Sequence, residues 1–188
     1  MPTAVADNCV PGIRTCALPP NSLLQGIASS GAYVDCYTTR IDRSVSQAAF
    51  VEAFYTSAIF KLERLILGVA VSHPSTDTEA RQLARGERNS FAAWSVEQRS
   101  PEQLLLRDFA GRTRSWLMVA NLSTGPASLT QLYFGSAVVP LRNSGTERSR
   151  MGFAFSALLG FHKLYSRALL VAAKSRLARK MESHDLHA

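Results

Sequence analysis

The residues with the most specific chemistry in this sequence are two arginines and two tryptophans in the stretch WSVEQRSPEQLLLRDFAGRTRSWLM. Turn signals at Ser100-Pro101 and Ala110-Gly111 fold three strand-like runs back on one another. A two-residue loop at Ala110 and Gly111 sets Phe109 against Arg112, Arg107 against Arg114 and Leu105 against Trp116. A four-residue loop from Arg99 to Glu102 sets Trp94 against Arg107 and Val96 against Leu105. One face of the sheet then carries Trp94, Val96, Leu105, Arg107, Arg114, Trp116 and Met118, joined by Leu132, Phe134 and Ser136 from the next run. The other carries Ser95, Glu97, Leu104, Leu106, Asp108, Thr113, Ser115 and Leu117. The first face has the aromatic bulk and is expected to meet the helices. Opposed arginines on such a face repel each other and need an anion. Asp35, Glu52 or Glu63 could supply it from within the chain. A ligand carboxylate or phosphate would bind the guanidinium forks in a bidentate way, with Trp94 and Trp116 as flat apolar walls. The plainer alternative is a solvated pair at a sheet end.

Other chemistry is sparse. His162 lies beside an apolar helical stripe, three residues before Tyr165, and a lone helical histidine is more often packed or exposed than catalytic. Asp108 precedes a turn and is expected to cap it; its alternative is to orient a base. Ser136 follows Gly135 without the spacing of a nucleophile elbow. Metal-ligand spacings, a phosphate-binding loop and a dinucleotide fingerprint are missing, so neither metal nor cofactor is expected. Cys9, Cys16 and Cys36 form an odd set with no nearby histidine and read as free thiols.

The formal charge of +7 is concentrated late in the chain, where Arg142, Arg148, Arg150, Lys163, Arg167, Lys174, Arg176, Arg179 and Lys180 meet only Glu147. The last four of these basic residues occupy the final turns of an expected helix, where cations complement the dipole. Nucleic acid is an unlikely partner, because the aromatics of that helix sit on its apolar stripe rather than between its charges. No uncharged run approaches the roughly 20 residues of a membrane span, and Met1 to Asn8 lack the regions of a secretory signal. A cytoplasmic protein is expected.

Elements that would position these residues follow from periodicity. Residues 1–31, rich in proline, glycine and serine, read as an extended arm that Leu23, Leu24 and Ile27 anchor. YVDCYTTRI, Tyr33 to Ile41, reads as a first strand. Ser44 with Gln47 forms a capping-box pattern before a helical run that ends at Gly68, as one helix or as two broken near Thr56 and Ser57. Thr76 with Glu79 opens a shorter helix that Gly86 stops, and His73-Pro74 falls in the connection. FAAWSVEQ, QLLLRDF, RTRSWLMVAN and LTQLYFGSAVV make a four-stranded meander. A long helix from about Gly152 to Lys180 follows, with Leu158, Phe161, Leu164, Tyr165, Ala168, Leu169 and Ala172 as its stripe. At 188 residues and 46% hydrophobic content this makes one α+β domain, residues 32–181, with a flexible tail at 182–188.

This order of strand, two or three helices, antiparallel meander and long helix resembles the helix-grip architecture of the START and polyketide-cyclase superfamily. QLLLRDFAGRTRSWLMV, TQLYFGSAVVP and GFHKLYSRALL are also similar to segments of an uncharacterised bacterial family with that architecture. The resemblance implies a cavity between sheet and C-terminal helix for an apolar or amphipathic small molecule. Its expected lining is Trp94, Trp116, Phe134, Ser136, Phe161 and Tyr165, with Arg107 and Arg114 at an anion-recognising end. The superfamily holds both binders and cyclases or aromatases, so the architecture does not choose between them; a binder is the leading expectation. The alternatives are a cofactor-free cyclase or dehydratase using His162 and Asp108, and electrostatic binding of nucleic acid or a membrane surface by the basic helix. A homodimer is left open.

Overall fold

A computed structural model describes residues 12–62, 75–122, 128–139 and 164–179. Within them the order is β1 (Arg14–Thr15), α1 (Gln25–Ala28), β2 (Tyr33–Ile41), α2 (Gln47–Tyr55), α3 (58–62), α4 (Asp77–Arg85), β3 (Ser90–Phe91), β4 (Trp94–Ser100), β5 (Gln103–Asp108), β6 (Thr113–Asn121), β7 (Thr130–Val138) and α5 (164–179). All strand pairs are antiparallel, and one open sheet runs β1-β2-β7-β6-β5-β4-β3. The five expected strands are present. Two two-residue strands, too short to carry any period, bring the sheet to seven. The second, β3, exists because Ala92, at φ 50°, turns the FAAWSVEQ run back on itself and sets Phe91 against Trp94.

Helix boundaries follow local chemistry. Of the two readings of the helical run, the broken one holds at Thr56 and Ser57: α2 ends at Tyr55, and Thr56 Oγ1 donates to the Glu52 carbonyl. Ser46, not Ser44, is the N-cap of α2, accepting from the Ala49 amide. The Thr76–Glu79 capping box of α4 is complete, and Gly86 closes that helix in the left-handed region at φ 80°. Gly68 and His73-Pro74 lie outside the described residues, as do 152–163 at the start of the expected long helix. In α5 the buried stripe is Ser166, Leu169, Leu170, Ala173 and Leu177, rotated from the expected one, and Leu164 is 70% exposed. The expected stripe runs into Ser175 and Arg176 when extended, whereas the observed one continues to Leu177.

Register decides the rest. Arg107 faces Arg114 and Leu105 faces Trp116, as expected from the Ala110-Gly111 loop. The preceding hairpin differs, because Ser100 pairs with Gln103 across a two-residue turn, Pro101-Glu102. The register then shifts between Val96 and Gln98, leaving Glu97 as an extra residue, so Trp94 faces Asp108 and Val96 faces Leu106. Trp94 and Val96 therefore share a face with Leu104 and Leu106. Across the sheet Leu117 pairs with Phe134 and Val119 with Leu132, while Trp116 pairs with Gly135. The expectation that the Trp116 face meets the helices is overturned. Leu104, Leu106, Leu117, Val119, Leu132 and Phe134 pack instead against Phe50, Val51, Phe54 and Tyr55 of α2, Leu83 of α4, and Leu169, Leu170, Ala173 and Leu177 of α5.

The opposite face is buried as well. Cys36, Leu105, Trp116, Met118 and Ala137 lie beneath Leu24, with Leu18, Leu23 and Ile27 around it, so the segment after β1 covers the outer side of the sheet. Gln103 fastens this cover. Its Oε1 accepts from Trp116 Nε1 and from the Leu23 amide, both at 2.9 Å, and its Nε2 donates to the Asn21 carbonyl at 3.0 Å. Replacing Gln103 by leucine strands the buried indole N–H and the Leu23 amide. The expected loss is about 2–3 kcal/mol, read from urea unfolding by tryptophan fluorescence. An unchanged midpoint would show that the cover is held by apolar packing alone.

Candidate functional site

The sheet divides the residues expected to act together. Arg107, Arg114 and Trp116 belong to the outer face, whereas Trp94, Phe134, Ser136 and Tyr165 lie with the core on the helix side. Phe161 and His162 fall outside the described residues. The anion beside Arg114 is Glu97: Nε meets Oε2 at 2.7 Å and Nη2 meets Oε1 at 3.3 Å, a two-pronged pair completed by a bond to the Gly111 carbonyl. Glu97 was not among the carboxylates expected there, because only the bulge brings it into reach. Of those that were, Asp35 lies on the helix face and Glu52 pairs with Arg81. Arg107 is exposed. Asp108 caps its turn, with Oδ1 accepting from the Arg112 and Thr113 amides and Oδ2 from Thr113 Oγ1.

Trp116 is fully buried, and its indole lies against Gly135 and Tyr133. On the helix face Phe134 packs on Phe54 with centroids 4.8 Å apart, and Phe54, Tyr55, Phe60 and Phe91 continue the aromatic cluster. Beside it runs a buried polar row across β2, β7 and β6. Ser136 Oγ and its amide donate to Asp35 Oδ1 at 2.5 and 3.2 Å, Tyr37 Oη donates to Asp35 Oδ2 at 3.5 Å, and Ser115 bonds Tyr55 Oη at 3.1 Å. Burial first, and then the Asp35 carboxylate, pushes the Tyr37 phenol up to about 12.

Open space lies at the sheet edge. β1 pairs only as far as Arg14↔Thr38, so past Thr38 the end of β2 has no strand beside it among the described residues. The gap is a groove of about 640 Å³ between Gly12–Cys16 on one side and Lys174 and Ala178 of α5 on the other, floored by Thr38 to Arg43 and Gln131. Among the described residues four cations line it, Arg14, Arg40, Arg43 and Lys174, with Asp42 as the one acid. Neutral partners hold three of them in place: Arg40 Nε donates to Gln131 Oε1 at 3.0 Å, Lys174 Nζ to Thr39 Oγ1 at 3.3 Å, and Arg43 Nη1 to the Leu177 carbonyl at 3.5 Å. Arg43 thus satisfies a carbonyl near the end of α5 and offsets the negative end of its dipole. Among the described residues no carboxylate forms an ion pair with Arg40, Arg43 or Lys174. The sequence pattern gave no sign of this site. Arg40 falls inside the expected first strand, no pattern singles out Arg43, and Lys174 reads as a dipole complement; among the described residues it is the short β1 that leaves the edge between them open.

Among the described residues no helix is long and apolar enough to cross a membrane, and no cluster of three or more potential ligands could hold a metal. Comparison with protein-family models and with curated proteins returns no match.

Proposed function

We propose that this chain binds a small amphipathic molecule with an anionic head in the groove between the free edge of β2 and α5, as a binding protein rather than an enzyme. The observation that carries the reading is the set of cations Arg40, Arg43 and Lys174, which line one groove and, among the described residues, are held by neutral oxygen acceptors rather than by carboxylates. Guanidinium and ammonium groups held in this way are preorganised for a carboxylate, sulfonate or phosphate. Ile41, Ala178 and the stem of Lys174 offer apolar surface for the body of the ligand. The architecture is consistent with a helix grip, but the groove lies at the sheet edge and shares no lining residue with the cavity that the resemblance implies. The anion-recognising role moves from Arg107 and Arg114, one exposed and the other already paired with Glu97, to Arg40 and Lys174. A cytoplasmic, cofactor-free binder remains the form of the proposal. The cyclase alternative is weaker, because the Asp108 carboxylate is occupied by its turn.

The probe is 8-anilinonaphthalene-1-sulfonate, an amphipathic anion whose fluorescence rises in apolar surroundings. Each charge-assisted bond contributes about 1.5–3 kcal/mol, so Arg40→Glu and Lys174→Glu should each weaken binding at least about tenfold. Arg107→Leu should leave it unchanged, with circular dichroism confirming that every variant is folded. Equal affinity in all the variants, or equal binding of an uncharged naphthalene analogue, would sink the proposal.

A further inference from the structure

Two cysteines face each other beside this groove without forming a bond. Cys16 follows directly on β1, and its amide donates to the Cys36 carbonyl at 3.0 Å, continuing the register in which Arg14 faces Thr38 and Thr15 faces Tyr37. Facing residues of an antiparallel ladder have Cα atoms about 4.5–5.5 Å apart, within the roughly 4.4–6.8 Å that a disulfide spans. The two sulfurs lie 3.2 Å apart, and both thiols are free. Their surroundings differ. Cys36 is 3% exposed, whereas Cys16 is half-buried and lines the groove, so a reagent in solution can reach it.

We infer that Cys16 and Cys36 form a redox-active dithiol that closes to a disulfide by exchange with a small-molecule disulfide such as glutathione disulfide. The Cys16 thiolate attacks one sulfur of the reagent, whose S–S bond breaks, and the first glutathione leaves as a thiolate that takes up a proton. Cys36 then gives up its proton and attacks the Cys16 sulfur of the mixed disulfide, and the second glutathione leaves as a thiol. Two electrons and two hydrogens pass from the protein to the reagent, and glutathione reverses both steps. The hydrogen bond between the thiols supports this division of labour. It holds the Cys16 thiol below its ordinary range, while the same bond, followed by burial, raises that of Cys36, so the accessible sulfur is the better nucleophile. The bond would close a loop containing Leu18, Leu23, Leu24 and Ile27, the cover of the outer sheet face, and would staple that cover to β2. The inference does not depend on what the groove binds.

The test uses the folded full-length chain carrying Cys9→Ser, so that the third cysteine cannot compete, incubated with glutathione disulfide, quenched with a maleimide and read by intact mass and peptide mapping. The expected product is two hydrogens lighter than the starting protein, carries a Cys16–Cys36 linked peptide, has a higher urea midpoint and returns to the dithiol with excess glutathione. Adding Cys36→Ser should arrest the reaction at a single glutathione adduct on Cys16, and Cys16→Ser should leave Cys36 unmodified in the folded protein. A persistent adduct in the presence of Cys36, no reaction, or a bond that forms only once circular dichroism shows unfolding would each overturn the inference.

Discussion

Trp116→Ala should destabilise the protein by about 3–5 kcal/mol and leave anion binding by the folded molecules intact. The indole is fully buried in the middle of β6, between Leu105 on β5 and Gly135 on β7, and beneath Leu24. Truncation removes its contacts, opens a cavity that the flanking strands cannot collapse into, and takes one of two donors from Gln103 Oε1. With total stabilities of about 5–15 kcal/mol, such a variant remains folded at low temperature. Urea unfolding followed by circular dichroism measures the cost, and titration with the naphthalene sulfonate probe measures binding. The sequence reading makes the opposite prediction, because a ligand wall beside Arg107 and Arg114 would cost binding rather than stability. Lost affinity with an unchanged urea midpoint would restore that reading.

Local and pairwise features were legible in the sequence because adjacent residues determine them. The Thr76–Glu79 box needs only its own four residues, the break after Tyr55 needs a short polar pair, and Arg107↔Arg114 follows from a glycine-containing turn at a single position. The hairpin between β4 and β5 was misread because Arg99 to Glu102 permits more than one loop length. The shorter loop slips the register by two residues and keeps the faces, and the bulge beyond it adds the one-residue slip that carries Val96 and Trp94 to the other face. The bulge at Glu97 has no signature of its own. Yet the same residue supplies the partner of Arg114, so the error in register and the missed ion pair have one cause.

The faces were misassigned for a different reason. Choosing the helix side by aromatic bulk presumes that one face is wet, but LLL in β5 and WLMV in β6 are continuous apolar runs, the pattern of strands covered on both sides. What covers the second side is the segment from Leu18 to Ile27, whose prolines and serines hid its function as packing material. Once that segment is placed, Trp116 belongs to a second core rather than to a pocket, and among the described residues the larger groove lies where β1 stops short. A groove defined by the end of a two-residue strand is a property of topology, and no local pattern carries it.

Gly135→Val should cost about 3 kcal/mol, the reverse of what strand propensity alone expects. Glycine inside a strand is ordinarily a weak choice, and a β-branched replacement gains up to about 1 kcal/mol. Here a Cβ at position 135 would lie 2.8 Å from Trp116 Cε3, 3.0 Å from Leu24 Cδ2 and 3.2 Å from the Asp35 carbonyl oxygen of the neighbouring strand. Leu24 can yield by changing rotamer, but the indole is enclosed and the carbonyl belongs to β2 itself, so relief requires the strands to part. Gly135→Ala, with the same Cβ and fewer further atoms, should cost about 1–2 kcal/mol on the same argument. The cause can be isolated by a double-mutant cycle with Trp116→Leu, which removes the closest of the three atoms. If the indole and the missing Cβ compete for one volume, the combined variant should be more stable than the sum of the two single changes by at least about 0.5 kcal/mol in urea unfolding. Simple additivity would mean that the glycine answers to the Asp35 carbonyl alone, and that the fit of Trp116 against β7 is a consequence of the sheet rather than a reason for it.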